Sequence, residues 1–193
     1  MPHRKWLSTA LLAAVALRTL SAASPAIRIP DLDNRPVDPF QADARTRAIV
    51  FVFISVECPV SNRYAPELIR LRERFASRGV EFRFVYPNPS ETSAAIRAHL
   101  KDYGFADTAL RDPRQELAKF AAATITPEAA VYDTQVRRLY LGRIDDRYVS
   151  LGLERPAATR HDLEEALTAV LAGKPAPPPG GAAVGCFIAD FAR

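Results

Sequence analysis

The sequence predicts an α/β sandwich, a central mixed sheet flanked by helices. Three observations carry that prediction. Residues 48–55 (AIVFVFIS) and 80–86 (VEFRFVY) are runs of β-branched and aromatic residues, and the first is unbroken, as in a strand buried on both faces. Between and after these runs the apolar residues change period to that of a helix, at Tyr64, Leu68, Leu71 and Phe75, then at Ile96, Leu100 and Tyr103. Strand and helix therefore alternate, which calls for parallel strands joined by crossovers that lie on the faces of the sheet.

The elements follow in order. Residues 26–40 are rich in Pro and Asp and read as an irregular lead-in with one short strand. Strand 48–55 is followed by Cys58 and by a helix that runs to Arg78-Gly79, with Gly79 as the expected C-cap. Pro87 and Pro89 close strand 80–86, and Ser90 and Glu91 open the next helix, with Ile96, Leu100 and Tyr103 inward. Residues 104–113 form a connection with room for a short strand around Ala109 and Leu110. A helix over 116–122 leads to Pro127 and strand 128–132. The chain turns over 133–137 and returns over 138–144 as an antiparallel edge. Residues 161–171 make the last amphipathic helix, apolar at Leu163, Leu167, Val170 and Leu171. From Gly173 onward the chain is a Pro/Gly-rich tail with an apolar end. The order is β-α-β-α-(β)-α-β-β-α, in one domain without internal repeats.

Composition agrees. The chain has 193 residues, 48% hydrophobic and 25% charged, enough for one domain with a sizeable core. The formal net charge of +4 owes much to Arg4, Lys5 and Arg18; the 26 Lys and Arg less these three leave 23 against 22 acidic residues. A surface so balanced gives no electrostatic case for a nucleic-acid or membrane-surface partner. His3-Arg4-Lys5, the apolar stretch 6–17 and the small residues Ser21-Ala22-Ala23 read as a secretory signal over 1–23. The apolar stretch is shorter than the roughly 20 residues a bilayer span needs. The expected division is a signal peptide at 1–23, a domain at 24–172 and a tail at 173–193. It implies a periplasmic or secreted protein with no stable membrane insertion after signal cleavage, in an oxidising compartment.

Cys58 and Cys186 are the only cysteines. Cys58 stands between a buried strand and a helix, where free N–H groups and the helix dipole favour an anion. A thiolate is such an anion, so the Cys58 thiol is expected to titrate below the ordinary value of about 8.5. Pro59 suits the first helical turn, where a missing N–H costs nothing. Glu57 opposes ionisation by like charge, and Arg63 is placed to offset it. The competing reading is a buried, inert cysteine.

The segment Cys58-Pro59-Val60-Ser61-Asn62-Arg63-Tyr64-Ala65-Pro66 resembles the active-site segment of the thioredoxin superfamily. There a cysteine starts the helix, a polar or cysteine residue follows three further on, and a helix-kinking proline eight further on; Cys58, Ser61 and Pro66 match. Thr126-Pro127, just before strand 128–132, matches the family's cis-proline, which faces the cysteine. Residues 90–113 are similar to the helix-and-strand insertion of exported thioredoxin-like proteins and peroxiredoxins. Thr126-Pro127-Glu128-Ala129 and residues 142–147 (GRIDDR) look similar to the exported redoxin or alkyl-hydroperoxide-reductase/thiol-specific-antioxidant group. The likeness spans roughly residues 48–171. It implies a thioredoxin-like three-layer sandwich with an inserted helix–strand segment, a cis Thr126–Pro127 bond, and a groove for a partner's backbone shaped by Thr126, Pro127 and Pro59. Two departures matter. Ser61 stands where a second cysteine would resolve a mixed disulfide. Phe51 and Ser55 stand where a peroxiredoxin has Pro and Thr or Ser, and the activating Arg is replaced around Thr126-Pro127, so peroxide cleavage lacks its electrostatic help.

The resulting expectation is an exported thiol–disulfide oxidoreductase. Cys58 is the nucleophile, Ser61 helps to stabilise its thiolate, and a protein thiol or disulfide is the partner. Cys186, in the apolar tail segment Val184-Gly185-Cys186-Phe187-Ile188, is the one other thiol in the chain able to resolve Cys58. The alternatives are a thiol peroxidase oxidised at Cys58 to the sulfenic acid, and a non-catalytic binding module whose two cysteines form a structural disulfide. No cofactor or metal is expected. His99 reads as a helix-face residue, His161 as a solvated helix end, and neither is spaced with a cysteine as metal ligands usually are. Asp145-Asp146, between Arg143 and Arg147, reads as a solvated charge cluster.

Overall fold

The two apolar runs lie side by side at the centre of a five-stranded sheet. The computed structural model describes residues 27–105 and 109–189, so the signal peptide expected at 1–23 falls outside them. In chain order the elements are β1 (Ile29–Pro30), β2 (Pro36–Val37), β3 (Ala48–Phe53), α1 (Pro59–Arg63), α2 (Ala65–Ala76), β4 (Val80–Tyr86), α3 (Ser93–Tyr103) and β5 (Ala109–Arg111). Then come α4 (Glu116–Ala121), β6 (Ile125–Thr126), β7 (Glu128–Tyr132), β8 (Arg138–Gly142), β9 (Tyr148–Ser150), β10 (Leu153–Glu154), α5 (Asp162–Leu171) and β11 (Cys186–Phe187).

The central sheet has the order β5-β4-β3-β7-β8. β3, β4 and β5 are parallel, β7 runs antiparallel to β3 with Val50 opposite Val131, and β8 runs antiparallel to β7. Alternation along the strands sends neighbouring side chains to opposite faces. Val50, Val52, Phe82 and Phe84 meet Leu68, Leu71 and Phe75 of α2, Ile96 and Leu100 of α3, and Leu163 and Leu167 of α5. On the other face Ile49, Phe51, Phe53 and Val85 meet Leu117 and Ala121 of α4, with Ile29 and Phe40 of the lead-in. Phe40 stands edge-on to Phe51 and to Tyr132, each at 5.2 Å. Every such side chain withdrawn from water contributes roughly 1.5–3 kcal/mol, and the three-layer sandwich rests on these two cores.

Several local expectations are corrected. The helix after Cys58 breaks at Tyr64 into α1 and α2, with Pro66 in the first turn of α2. α2 ends at Ala76 with Ser77 as its cap. Gly79 lies beyond that cap at φ +84°, in the turn into β4, where a Cβ would stand 2.6 Å from the Arg45 carbonyl. α3 begins after Thr92, whose hydroxyl accepts from Ala95 N–H at 3.2 Å, rather than at Ser90 and Glu91. Its last residue, Tyr103, is 38% exposed, while His99 is buried. The helix runs past the core at that end, and Phe105, after the left-handed Gly104, turns inward against Phe84 instead. The lead-in holds two short strands, β1 and β2, paired antiparallel. Asp145 and Asp146 are buried, not solvated: Asp145 accepts from Tyr64 Oη–H at 2.5 Å, and Asp146 accepts from Thr159 N–H and Oγ1–H at 2.6 Å each.

The tail folds back over the domain. Pro179 lies against Gly142, which has no room for a Cβ beside it. Gly180 N–H donates to Asp162 Oδ1 at 2.6 Å, while Asp162 Oδ2 takes Arg143 Nε–H at 2.8 Å. Val184 and Cys186 pack on one core and Ile188 on the other. β11 pairs antiparallel with β6, Cys186 opposite Thr126 and Phe187 opposite Ile125. Ile188 N–H donates to the Thr124 carbonyl at 2.9 Å, and Gln115 Nε2–H to the Ala189 carbonyl at 2.5 Å. No helix among the described residues is long and apolar enough to cross a membrane.

Candidate active site

Cys58 stands at the C-terminal end of the central strand β3, as the N-cap of α1. Its backbone is extended there (φ −79°, ψ 109°), and Pro59 follows as the first helical residue, with its ring exposed. The Cys58 sulfur accepts from Ser61 N–H at 3.5 Å, which satisfies one of the free donors of the helix start. In its thiol form Cys58 donates to the Thr126 carbonyl at 3.0 Å. Thr126 and Pro127 are buried opposite the cysteine, and the bond between them is cis.

The loop between β3 and Cys58 is held by two sets of polar contacts. Glu91 is buried and accepts from Ser55 Oγ–H and Val56 N–H, each at 2.7 Å. Burial pushes its carboxyl upward against those two bonds, and the Glu57 charge adds to the rise. On the other side Asn62 Nδ2–H donates to the Val56 carbonyl at 3.1 Å, and Asn62 Oδ1 lies 2.7 Å from His99 Nε2. His99 Nδ1 lies 2.8 Å from Tyr86 Oη. A neutral imidazole protonated on Nε2 satisfies both contacts, and burial lowers the His99 pKa, which favours that neutral ring. His99 is thus a buried link between α1 and β4. Its spacing from Ile96 shows only a helix face; the pairing with Asn62 is visible only once the two helices are placed.

Cys186 is the second thiol at this site. β11 seats it opposite Thr126, half-buried, and Thr126 Oγ1–H donates to its carbonyl at 3.3 Å. The two thiols thus meet at Thr126, Cys58 on its carbonyl and Cys186 opposite it on β11. Both cysteines are free thiols. Gly185 makes the approach possible, because a Cβ there would collide with the Thr126 carbonyl. Burial works against ionisation of Cys58, but the neighbouring Cys186, Ser61 and Thr126 outweigh it and hold the thiol below its ordinary value. Cys186 moves the other way, pushed up to about 11 by burial and by the neighbouring Cys58, including the charge a Cys58 thiolate would carry.

The sequence-predicted residues divide as follows. Cys58, Ser61, Thr126, Pro127 and Cys186 come together, and Pro59 flanks them. The Ser61 hydroxyl is buried with no partner in hydrogen-bond geometry among the described residues, and Ser61 contributes to the lowering of the Cys58 pKa. Arg63 does not offset Glu57; it pairs with Glu154 at 3.1 Å. Ser55, in the position a peroxiredoxin gives to Thr or Ser, turns its hydroxyl to Glu91. Glu91, Asn62 and Gln115 belong to the site's support and carry no motif. His161 is exposed, as expected of a solvated helix end, and its ligand atom lies within 4.8 Å of those of Glu67 and Asp145.

The chain is similar in structure to a hypothetical protein from Sinorhizobium meliloti, at a TM-score of 0.72 and 28% identity over 86% of this chain and 91% of that one. An uncharacterized conserved protein from Geobacillus kaustophilus gives 0.70 and 26%, over 88% and 91%. A secreted Mycobacterium tuberculosis disulfide oxidoreductase gives 0.51 and 17%, over 76% and 94%, a likeness of fold alone. No protein-family model matches the chain, and no curated protein does.

Proposed function

We propose, for a chain of thioredoxin-like fold, a thiol–disulfide oxidoreductase that cycles Cys58 and Cys186 between two thiols and one disulfide. The observation that carries this reading is the meeting of the two cysteines at Thr126: the Cys58 thiol reaches the Thr126 carbonyl at 3.0 Å, and β11 seats Cys186 opposite the same residue, with one thiol held low and the other high. A pair so placed needs no second cysteine in the helix, and it accounts for Ser61 at that position. The partner is a protein thiol or disulfide. The basic, apolar N-terminus supports export to an oxidising compartment, where such a pair has work to do.

Equilibration with mixtures of reduced and oxidised glutathione tests the reading. The wild type is expected to lose two hydrogens as one internal disulfide, mapped to the peptides carrying Cys58 and Cys186. Cys58→Ser and Cys186→Ser are each expected to abolish turnover of a small disulfide. Parallel assays with hydrogen peroxide separate the peroxidase: peroxide turnover faster than disulfide turnover and dependent on Cys58 overturns the proposal. An internal disulfide that forms without any turnover identifies the structural cross-link of a binding module instead.

A further inference from the structure

The two sulfurs are not equally accessible. Cys58 is 1% exposed. Its surroundings are filled by the Thr126 carbonyl at 3.0 Å, the Ser61 amide at 3.5 Å and the β11 strand that carries Cys186. Gly185 leaves no gap there, since not even a methyl group fits between it and the Thr126 carbonyl. Cys186 is half-buried and lines a cavity of about 80 Å³ together with Ser55, Asn88, Gln115, Thr126 and Phe187; Cys58 does not line it. Phe187, next along the strand, is 81% exposed. The cavity is well below the roughly 300 Å³ at which small-molecule pockets begin, and it has room for a cysteine side chain entering from an extended segment.

We infer that in the oxidised protein an incoming substrate thiolate attacks the Cys186 sulfur, reached through this cavity, and that Cys58 is the leaving thiolate. The inference rests on the reading above, in which Cys58 and Cys186 form the working disulfide. Exchange depends on which sulfur can be reached and on how easily the other departs as a thiolate. Both conditions select the same direction, because the sulfur that is shielded is also the one that the Ser61 amide, at 3.5 Å, stabilises as a departing thiolate. The electron balance is simple. The substrate thiolate forms a bond to Cys186, the Cys58–Cys186 bond breaks, and its electron pair stays on Cys58. A second thiolate of the substrate then attacks the first substrate sulfur and expels Cys186, which takes up a proton from water. The substrate dithiol loses two electrons and the protein disulfide gains two. A low-molecular-weight disulfide restores the oxidised protein.

In this scheme the substrate is carried on the C-terminal strand rather than on the helix. The roles expected from the thioredoxin resemblance, with the helix-start cysteine as the group that meets substrate, are exchanged. The substrate class is a reduced chain with two cysteines, at least one on an extended segment.

Peptide mapping tests the direction. Protein oxidised with glutathione disulfide is pulsed with a short cysteine-containing peptide, quenched in acid within the first turnover, alkylated and digested. The expected result is the peptide disulfide-bonded to Cys186, in about tenfold or greater excess over Cys58, with the alkyl group on Cys58. Peptide found equally or mainly on Cys58 overturns the inference and leaves the proposed disulfide standing. Failure of glutathione disulfide to produce the internal bond overturns both. Gly185→Ala supplies a second reading: by pushing β11 off Thr126 it is expected to raise the share of peptide on Cys58 several-fold. An unchanged distribution, with the variant folded by circular dichroism, means that the strand does not shield Cys58, and it overturns the inference.

Discussion

A thiol that gives up its proton easily faces one that keeps it, and the arrangement depends on few atoms. Cys58 accepts from the Ser61 amide, and the neighbouring Cys186 thiol lowers it further, while Cys58 in turn pushes Cys186 upward. The alkylation rate of Cys58 against pH is therefore expected to give a midpoint below the ordinary thiol value of about 8.5. Cys186→Ala removes the neighbour that acts most strongly to lower that midpoint, so the midpoint is expected to rise in the variant even as Cys58 becomes easier to reach. Rate and midpoint report different things here, access and ionisation, and the variant moves both upward. A midpoint unmoved by Cys186→Ala would mean that the helix start alone sets the Cys58 pKa. At this scale the sequence was informative about Cys58, Ser61 and Thr126-Pro127, because each belongs to a short local pattern. It was silent on Glu91 and on the pairing of Asn62 with His99, whose partners come from elsewhere in the chain and leave no local spacing to read.

At the scale of elements, α4 shows how one side chain fixes a boundary. Asp112 is fully buried and accepts from Glu116 N–H and Ala118 N–H at 2.8 Å each, so it serves the free donors of the first turn. Burial nonetheless raises its pKa from 3.8 to about 6, because two or three amides only partly replace the water that a carboxylate loses. A raised folded-state pKa means that the native protein holds this proton more tightly than the unfolded chain. The associated stability is fully present below about pH 3.8 and is lost as the pH rises through about 6. Urea unfolding of the wild type and Asp112→Asn at pH 7.5 and pH 4 checks this. The wild type is expected to gain about 1–3 kcal/mol on the variant between those two values. The strands were legible because buried runs of Val, Ile and Phe have no other use: β4 and β7 span the residues predicted, and β3 stops two short. The helix ends were less so. Gly79 has the αL backbone expected of a cap but spends it on a turn under Arg45, and Thr92 caps α3 because Glu91, one residue earlier, is drawn to Ser55 and Val56.

At the scale of the whole molecule, the domain and its tail form one cooperative structure, since Val184, Cys186 and Ile188 reach both cores. A Cys58–Cys186 bond would close a loop that contains every element from α1 to α5 and most of the tail. Oxidised protein is expected to resist urea by up to about 4–5 kcal/mol more than reduced protein in the chain-entropy model. The comparison to make is wild type against the Cys58→Ala, Cys186→Ala double variant, in which glutathione disulfide should leave the unfolding curve in place. The tail was the least legible part of the chain. A Pro/Gly-rich composition reads as a spacer, and nothing local announces that Gly142 accommodates Pro179 or that Asp162 receives the Gly180 amide. That mid-tail anchorage sets the length of a leash. With Gly180 held, the free chain behind Cys186 runs only from Gly180; without it, the free chain runs from the end of α5 at Leu171. Shortening a tether raises the effective concentration of what it carries, roughly as the inverse three-halves power of its length. Releasing both contacts of the anchor with Asp162→Ala and Gly142→Ala, whose Cβ would displace Pro179, is therefore expected to slow intramolecular closure of the Cys58–Cys186 bond by about fourfold, a change that stopped-flow measurement of closure from a mixed disulfide would resolve. The polar contact at Asp162, far from either sulfur in sequence, thus acts as a concentration setting for the thiol at the end of the chain.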